Sequence, residues 1–336
     1  MRIHPKRIMC AVDFSDFSHL ILSYGRALAA EFHASLSVCH VVPDMVMLSS
    51  HGQAYIASEK LAEERLKNTR GLLGDLIKEQ GIDAQIFVAQ GHPADEITQI
   101  VQEKNIDLVI AATHGGSGIK RFLIGSVTDR LVKTLTCPLL VLHTQENHPA
   151  FPNVFRVPLS RILVGCDFSP ESDLAFDYGL SLAQEFQAEL HLVHVLKPEK
   201  HIELTTTDYM KIQEGDYLGW NRSEFLALQQ KATDTEWERR SRLLSRIERQ
   251  LSNMVPEDTR NWCTPVITLL EGQPYTELIQ YAKIKEIDMI LLGIHGHSLL
   301  EQFLVGSTTD RVISRAACPV LAVRKLPETW QNGQIP

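Results

Sequence analysis

The sequence predicts an α/β chain of two tandem, doubly wound domains, each built on a five-stranded parallel sheet. Three observations carry that expectation. First, the chain repeats itself. RIMCAVDFS at 7–15 returns as RILVGCDFS at 161–169, and LSVCHVV at 36–42 returns as LHLVHVL at 190–196, both 154 residues later. Beyond that point the offset becomes 181: GHPADEI at 91–97 matches GQPYTEL at 272–278, and CPLLVL at 137–142 matches CPVLAV at 318–323. A chain-long repeat of this kind is a duplication, and the second copy holds 27 extra residues between Leu196 and Gly272. Second, short apolar runs alternate with segments of helical period in each copy. Third, those runs are apolar throughout, as in parallel strands covered by helices on both faces.

The elements follow in order. Residues 7–12 form a buried strand ending at Asp13. Residues 17–32 form a helix, with Ser15 or Asp16 as its N-cap. A second strand spans 35–42, and Met45, Val46, Met47 and Leu48 are apolar within a loop. The helix at 57–80 places Leu66, Leu73, Leu76 and Ile77 on one face. A third strand covers 83–88, and Pro93 opens a helix where its missing N–H costs nothing. Strand four is 107–112, a glycine loop follows, and a helix starts at Gly125. Pro138 begins the fifth strand, 138–143, a position where proline is tolerated. Copy two repeats the order with strands near 161–166, 188–196, 264–270, 288–293 and 319–324.

The expected boundaries are a first domain at 1–145, a linker at 146–158, a second domain at 159–326 and a tail at 327–336. The linker is marked by three prolines and no period. The second domain carries an insertion near 197–240, with Tyr209, Tyr217 and Trp220 among charges and a charged helix near 223–252. Such a segment either folds over its own domain or serves as a lid or partner surface.

A net charge of −8 over 336 residues argues against a broad nucleic-acid or anionic membrane surface, but leaves room for a local anion pocket. The six cysteines include no C-x-x-C and no zinc spacing. Cys10, Cys39, Cys137, Cys166 and Cys318 sit in or beside strands and read as small buried hydrophobes. The apolar run after MRIHPKR is short for a signal segment, no stretch approaches a membrane span, and a cytoplasmic protein is expected.

In doubly wound sheets ligands sit beyond the carboxyl ends of the strands. Asp13 and Asp167 fall there after the first strands, and the loops ATHGGSGIKRFLIGS (112–126) and GIHGHSLLEQFLVGS (293–307) fall there after the fourth. Glycine-rich backbone leading into a helix start suits a phosphate, through close approach and unpaired N–H groups. The plain alternative is a tight turn with a helix cap, and capping is also the plain reading of the two aspartates. His114 and His295 match beside the glycines, His297 completes an H-x-H, and His40 and His194 match on the second strand near His191. No closed set of metal ligands emerges, because His191 and His194 face opposite sides of a strand.

With its A-V-D-x-S-like first strand, its C-P-V-type last strand and a G-x-x-G, nine residues, G-S motif, the chain resembles a tandem-domain universal stress protein of the E type. The resemblance covers about 3–145 and 159–326. Copy two carries the motif in full as Gly293, Gly296, Gly306 and Ser307; copy one has Ala112, then Gly115, Gly125 and Ser126. The resemblance implies strand order 3-2-1-4-5 and binding of ATP or another adenine nucleotide in some members, with Mg as its candidate companion. By position, Asp13 or Asp167 meets the ribose or base, Val41 or Val195 meets the adenine, and the glycines, His295 and Ser126 or Ser307 meet the phosphates. It also implies pairing of fifth strands, here 138–143 with 319–324 antiparallel inside one chain, giving a monomeric pseudo-dimer or a homodimer.

The copies are not equivalent. Ala112 narrows copy one, yet that loop has Lys120 and Arg121, whereas copy two places Glu301 and Gln302 there. Glycine geometry is steric and Glu301 is movable, so copy two is favoured. The expected function is a non-enzymatic stress protein that senses a nucleotide or scaffolds unidentified protein partners during starvation, oxidative or DNA-damaging stress. The P-loop is absent, and no acid/base pair is visible beyond the binding aspartate. A weak ATP hydrolase or adenylyl-transferring enzyme is the first alternative; a scaffold with empty or non-nucleotide pockets is the second.

Overall fold

A computed structural model describes residues 3–44, 46–48, 54–56, 59–113, 124–143, 157, 159–197, 222–257, 259, 263–295 and 305–324. The first half runs β1 (Arg7–Ala11), α1 (Phe17–Phe32), β2 (Ser35–Val42), β3 (Val46–Leu48), β4 (Ala54–Ile56), α2 (Glu59–Glu79), β5 (Gln85–Gln90), α3 (Pro93–Lys104), β6 (Leu108–Ala112), α4 (Ser126–Thr134) and β7 (Leu139–Leu142). The second runs β8 (Arg161–Gly165), α5 (Pro170–Phe186), β9 (Glu189–Leu196), α6 (Arg222–Met254), β10 (Thr264–Glu271), α7 (Pro274–Ile284), β11 (Met289–Gly293), α8 (Ser307–Arg315) and β12 (Val320–Val323).

Ten strands form one sheet in the order β10-β9-β8-β11-β12-β7-β6-β1-β2-β5. Each half alone has the order 3-2-1-4-5, parallel throughout. The halves join where β12 pairs antiparallel with β7, with Val320 opposite Val141, Leu321 opposite Leu140 and Ala322 opposite Leu139. An apolar edge is thereby covered. Two contacts flank this seam at matching places. His143 Nε2 donates to the Ile313 carbonyl at 2.5 Å, and Arg324 Nη2 donates to the Val132 carbonyl at 3.1 Å. His143 and Arg324 are equivalent by the 181-residue offset, and so are Val132 and Ile313. The seam is therefore an approximate twofold axis.

The helices divide between the sheet faces. Side chains of α1, α2, α5 and α6 fill one core, including Leu22, Leu73, Ala183 and Leu251. Those of α3, α4, α7 and α8 fill the other, including Ile97, Leu131, Leu278 and Val312. Asp107 fixes the start of β1 by accepting the Lys6 and Arg7 N–H groups, each at 2.9 Å, and Asp288 does the same for Ser160 and Arg161 at 2.7 and 2.9 Å. Gly91 and Gly272 turn β5 and β10 into the next helix at φ 145° and 150°, a backbone region that excludes other residues.

Residues 46–48 and 54–56 depart from the expected loop, pairing as the antiparallel ladder β3–β4. The backbone register sets Val46 opposite Ile56 and Leu48 opposite Ala54, and this pairing satisfies backbone groups that a loop would leave to water. All six cysteines are free; five are buried, and Cys318 is half-buried. No described helix is long and apolar enough to cross a membrane.

Candidate functional site

The turn after the first strand is held by the same aspartate contact in both halves. Asp13 Oδ1 accepts the Ser15 N–H at 3.0 Å, and Asp167 Oδ1 accepts the Ser169 N–H at 3.0 Å. Neither aspartate caps the helix. Ser169 caps α5, accepting the Ser172 N–H at 3.2 Å, while Asp16 at the start of α1 makes no side-chain cap. The turn forces Phe14 and Phe168 to φ 62° and 63°, an unusual conformation for a bulky residue. Each ring rests on a histidine, Phe14 on His40 at 4.5 Å between centroids and Phe168 on His194 at 5.0 Å. Those imidazoles donate to the Val12 and Cys166 carbonyls at 2.8 and 2.7 Å. The phenylalanine–histidine pair thus holds each aspartate at the strand end. The repeated D-F-S and strand histidine were the available sequence signals.

The fourth strand ends at Ala112 or Gly293. A Cβ at Gly293 would fall 2.5 Å from Glu171 Cβ and 2.8 Å from the Glu171 carbonyl carbon. Gly293 is not in the left-handed region. Its bare backbone therefore admits the first turn of α5, and this contact, rather than ligand approach alone, accounts for the glycine. His295 follows, with Nδ1 3.7 Å from Glu171 Oε1.

Gly125 and Gly306 are the N-caps of α4 and α8, and no side chain caps either helix. Thr128 and Thr309 hydroxyls donate to the Ala112 and Gly293 carbonyls, both at 2.7 Å, locking each helix start against its strand end. Ser126 and Ser307 open these helices and are exposed. A helix start without a side-chain cap offers N–H groups and partial positive charge to an anion.

In the second half these parts enclose a cavity of about 350 Å³. Asp167, Val195, Gly293, His295, Gly306 and Ser307 all line it. Gly115 and Gly296 lie outside the described residues, as do His114, Lys120, Arg121, His297, Glu301 and Gln302. In the first half Val41 is buried, while Asp13 is exposed where Asp167 is half-buried.

Lys197, Tyr275 and Arg311 are among the wall residues that escaped the sequence reading. The Arg311 guanidinium stacks on Tyr275 at 4.8 Å, and Arg315 lies 5.5 Å from the same ring. The matching residue in the first half, Arg130, instead pairs with Asp95 at 2.7 Å. Asp95 corresponds to Thr276, and Tyr275 to Ala94, by the 181-residue offset. One arginine is thus neutralised by a carboxylate, and its counterpart is held at a cavity wall by an aromatic face. His191 takes no part. It is 3% exposed and hydrogen-bonds Tyr281 at 2.9 Å, on the cavity's side of the sheet but nearer the start of β9, and burial pushes its imidazole below the usual range.

The family model for universal stress proteins matches residues 4–143 and 158–324. The chain belongs to the universal stress protein family. Universal stress protein Rv2005c of Mycobacterium tuberculosis is 26% identical over 334 residues, spanning 95% of this chain and 97% of that one. Universal stress protein MJ0531 of Methanocaldococcus jannaschii is 32% identical over 139 residues, 41% of this chain and 81% of its own length. A universal stress protein structure from Archaeoglobus fulgidus superposes with a TM-score of 0.59 at 18% identity, covering 95% of this chain and 98% of that one. That likeness concerns the fold. In this universal stress protein the family's unit occurs twice, and one continuous sheet carries both.

Proposed function

We propose that this universal stress protein binds an adenine nucleotide, ATP foremost, in the cavity of its second half. It acts without catalysis, as a cytoplasmic sensor or scaffold for protein partners during starvation, oxidative or DNA-damaging stress. The observation that carries the reading is the gathering of Asp167, Val195, Gly306, Ser307, Lys197 and Arg311 around one cavity at the carboxyl ends of the strands. The donor set fits the ligand. Asp167 has lone pairs for ribose hydroxyls, Val195 an apolar surface for a purine, and the α8 start, Ser307, Lys197 and Arg311 supply donors and charge for phosphates. Mg would accompany the phosphates and be held chiefly by them.

The test begins with purified protein, denatured and searched by mass spectrometry for released nucleotide. Titration with ATP and magnesium follows, on wild type, Asp167→Asn, Arg311→Ala and Arg130→Ala. The expected result is at least tenfold weaker ATP binding for the first two variants and little change for Arg130→Ala. Absence of both released and added nucleotide would overturn the reading in favour of a scaffold with empty or non-nucleotide pockets. The hydrolase alternative has less support. Among the described wall residues Asp167 is the one carboxylate, and it already accepts the Ser169 N–H. Phosphate release that falls with Asp167→Asn would restore that alternative.

A further inference from the structure

On the α1/α5 side of the seam between β7 and β12, the two halves leave a second cavity, of about 170 Å³. Three equivalent pairs contribute to its walls: Leu28 with Leu182, Leu108 with Met289, and Leu140 with Leu321; Phe32, Asp107 and Tyr178 line it without their counterparts. Leu140 and Leu321 are themselves partners in the antiparallel ladder. A space lined by both members of three pairs lies on the approximate twofold axis, and each half contributes one side of it.

The rim breaks the symmetry. Residues Ile3, His4 and Pro5 form it, tied down where the Ile3 N–H donates to Ser181 Oγ of α5 at 2.9 Å. Their counterparts in the second half, Val157 and Leu159, are 3% and 4% exposed and packed into the core, whereas His4 is exposed. The cavity therefore has a way to solvent past the first-half segment.

Its chemistry differs from that of the nucleotide cavity. Among the described residues no lysine or arginine lines it. The one carboxylate among its described wall residues, Asp107, accepts the Lys6 and Arg7 N–H groups at 2.9 Å each. Tyr178 adds a phenol whose burial, with Asp107 and Cys137 nearby, pushes its pKa up to about 12, so it stays neutral. An aliphatic cavity of about 150 Å³ stays dry and accepts a benzene-sized molecule, whereas drug-sized ligands need about 300 Å³ or more.

We propose that this axial cavity is a separate binding site for a small uncharged apolar molecule, a monocyclic aromatic or a short aliphatic chain bearing one hydroxyl. Leu28, Leu140, Leu182 and Met289 hold its apolar body, and Tyr178 pairs with its hydroxyl. Because the occupant touches both halves, its binding stabilises their union and raises the unfolding temperature.

The test uses the full chain, with phenol, benzyl alcohol and hexan-1-ol as probes and erythritol as the polar control. Saturable shifts of the Leu28, Leu182 and Met289 methyl resonances are expected for the three probes, with a rise in Tm, and none for erythritol. Leu28→Phe fills the space and lowers probe affinity at least tenfold while leaving ATP titration unchanged. Tyr178→Phe keeps the volume and weakens phenol at least threefold, with benzene unaffected. Saturation without response at these methyls, or unaltered binding in a folded Leu28→Phe variant, overturns the proposal. A full chain that gives no methyl shifts while a chain shortened by Met1 and Arg2 gives them also overturns it, because the chain's own end is then the occupant. ATP binding can fail with the probe result intact, and the reverse also holds.

Discussion

Gly293 shows how one side chain distinguishes the two halves. A methyl there meets Glu171 at 2.5–2.8 Å, with backbone among the atoms struck. Gly293→Ala is expected to lose about 1–3 kcal/mol by overpacking, read from denaturant unfolding, before any effect on a ligand. Its counterpart Ala112→Gly should cost only about 0.5–1 kcal/mol through chain entropy. Equal losses at the two positions would refute the packing account. His191 gives a second residue-level expectation. Its folded imidazole is held below the unfolded value of about 6.5 by burial against its surroundings. The unfolded chain therefore takes up the proton first as pH falls, and stability drops below about pH 6.5. His191→Gln should flatten that fall between about pH 7 and 5.5 in chemical unfolding curves.

At the scale of elements, the duplicated helix pairs α3–α4 and α7–α8 share geometry and differ in charge. Asp95 on α3 neutralises Arg130 on α4, whereas Tyr275 on α7 stacks under Arg311 on α8. Thr276→Asp would place the carboxylate of the first half beside Arg311. ATP affinity is expected to fall about tenfold or more, and a binding isotherm equal to wild type would show that Arg311 does not meet phosphate. The element order itself was legible, because period and turn residues are local. The β3–β4 ladder was not. Its strands have three residues each, too few for alternation to declare itself against a loop.

For the whole molecule, the ladder between β7 and β12 makes ten strands one sheet. One cooperative unfolding transition is expected for the full chain. Val141 is fully buried opposite Val320, so Val141→Asp places a carboxylate in the seam. Calorimetry should then show two transitions as the halves melt separately; a single transition would mean that other contacts, such as Arg324 to Val132, suffice to couple them.

The sequence by itself determined the duplication, the parallel sheets and the placing of Asp167, Gly306 and Ser307, which line the second-half cavity, at a strand end and a helix start that local pattern reveals. Only the tertiary structure decided that Glu171 packs on Gly293, that Arg311 faces a cavity while Arg130 is neutralised, and that the joined halves enclose an axial space. These outcomes depend on residues far apart in the chain. Glu171 and Gly293 lie on separate elements, and Leu28 and Met289 line one cavity from different halves. Periodicity along a chain records which face a residue presents, but not which distant side chain packs against it.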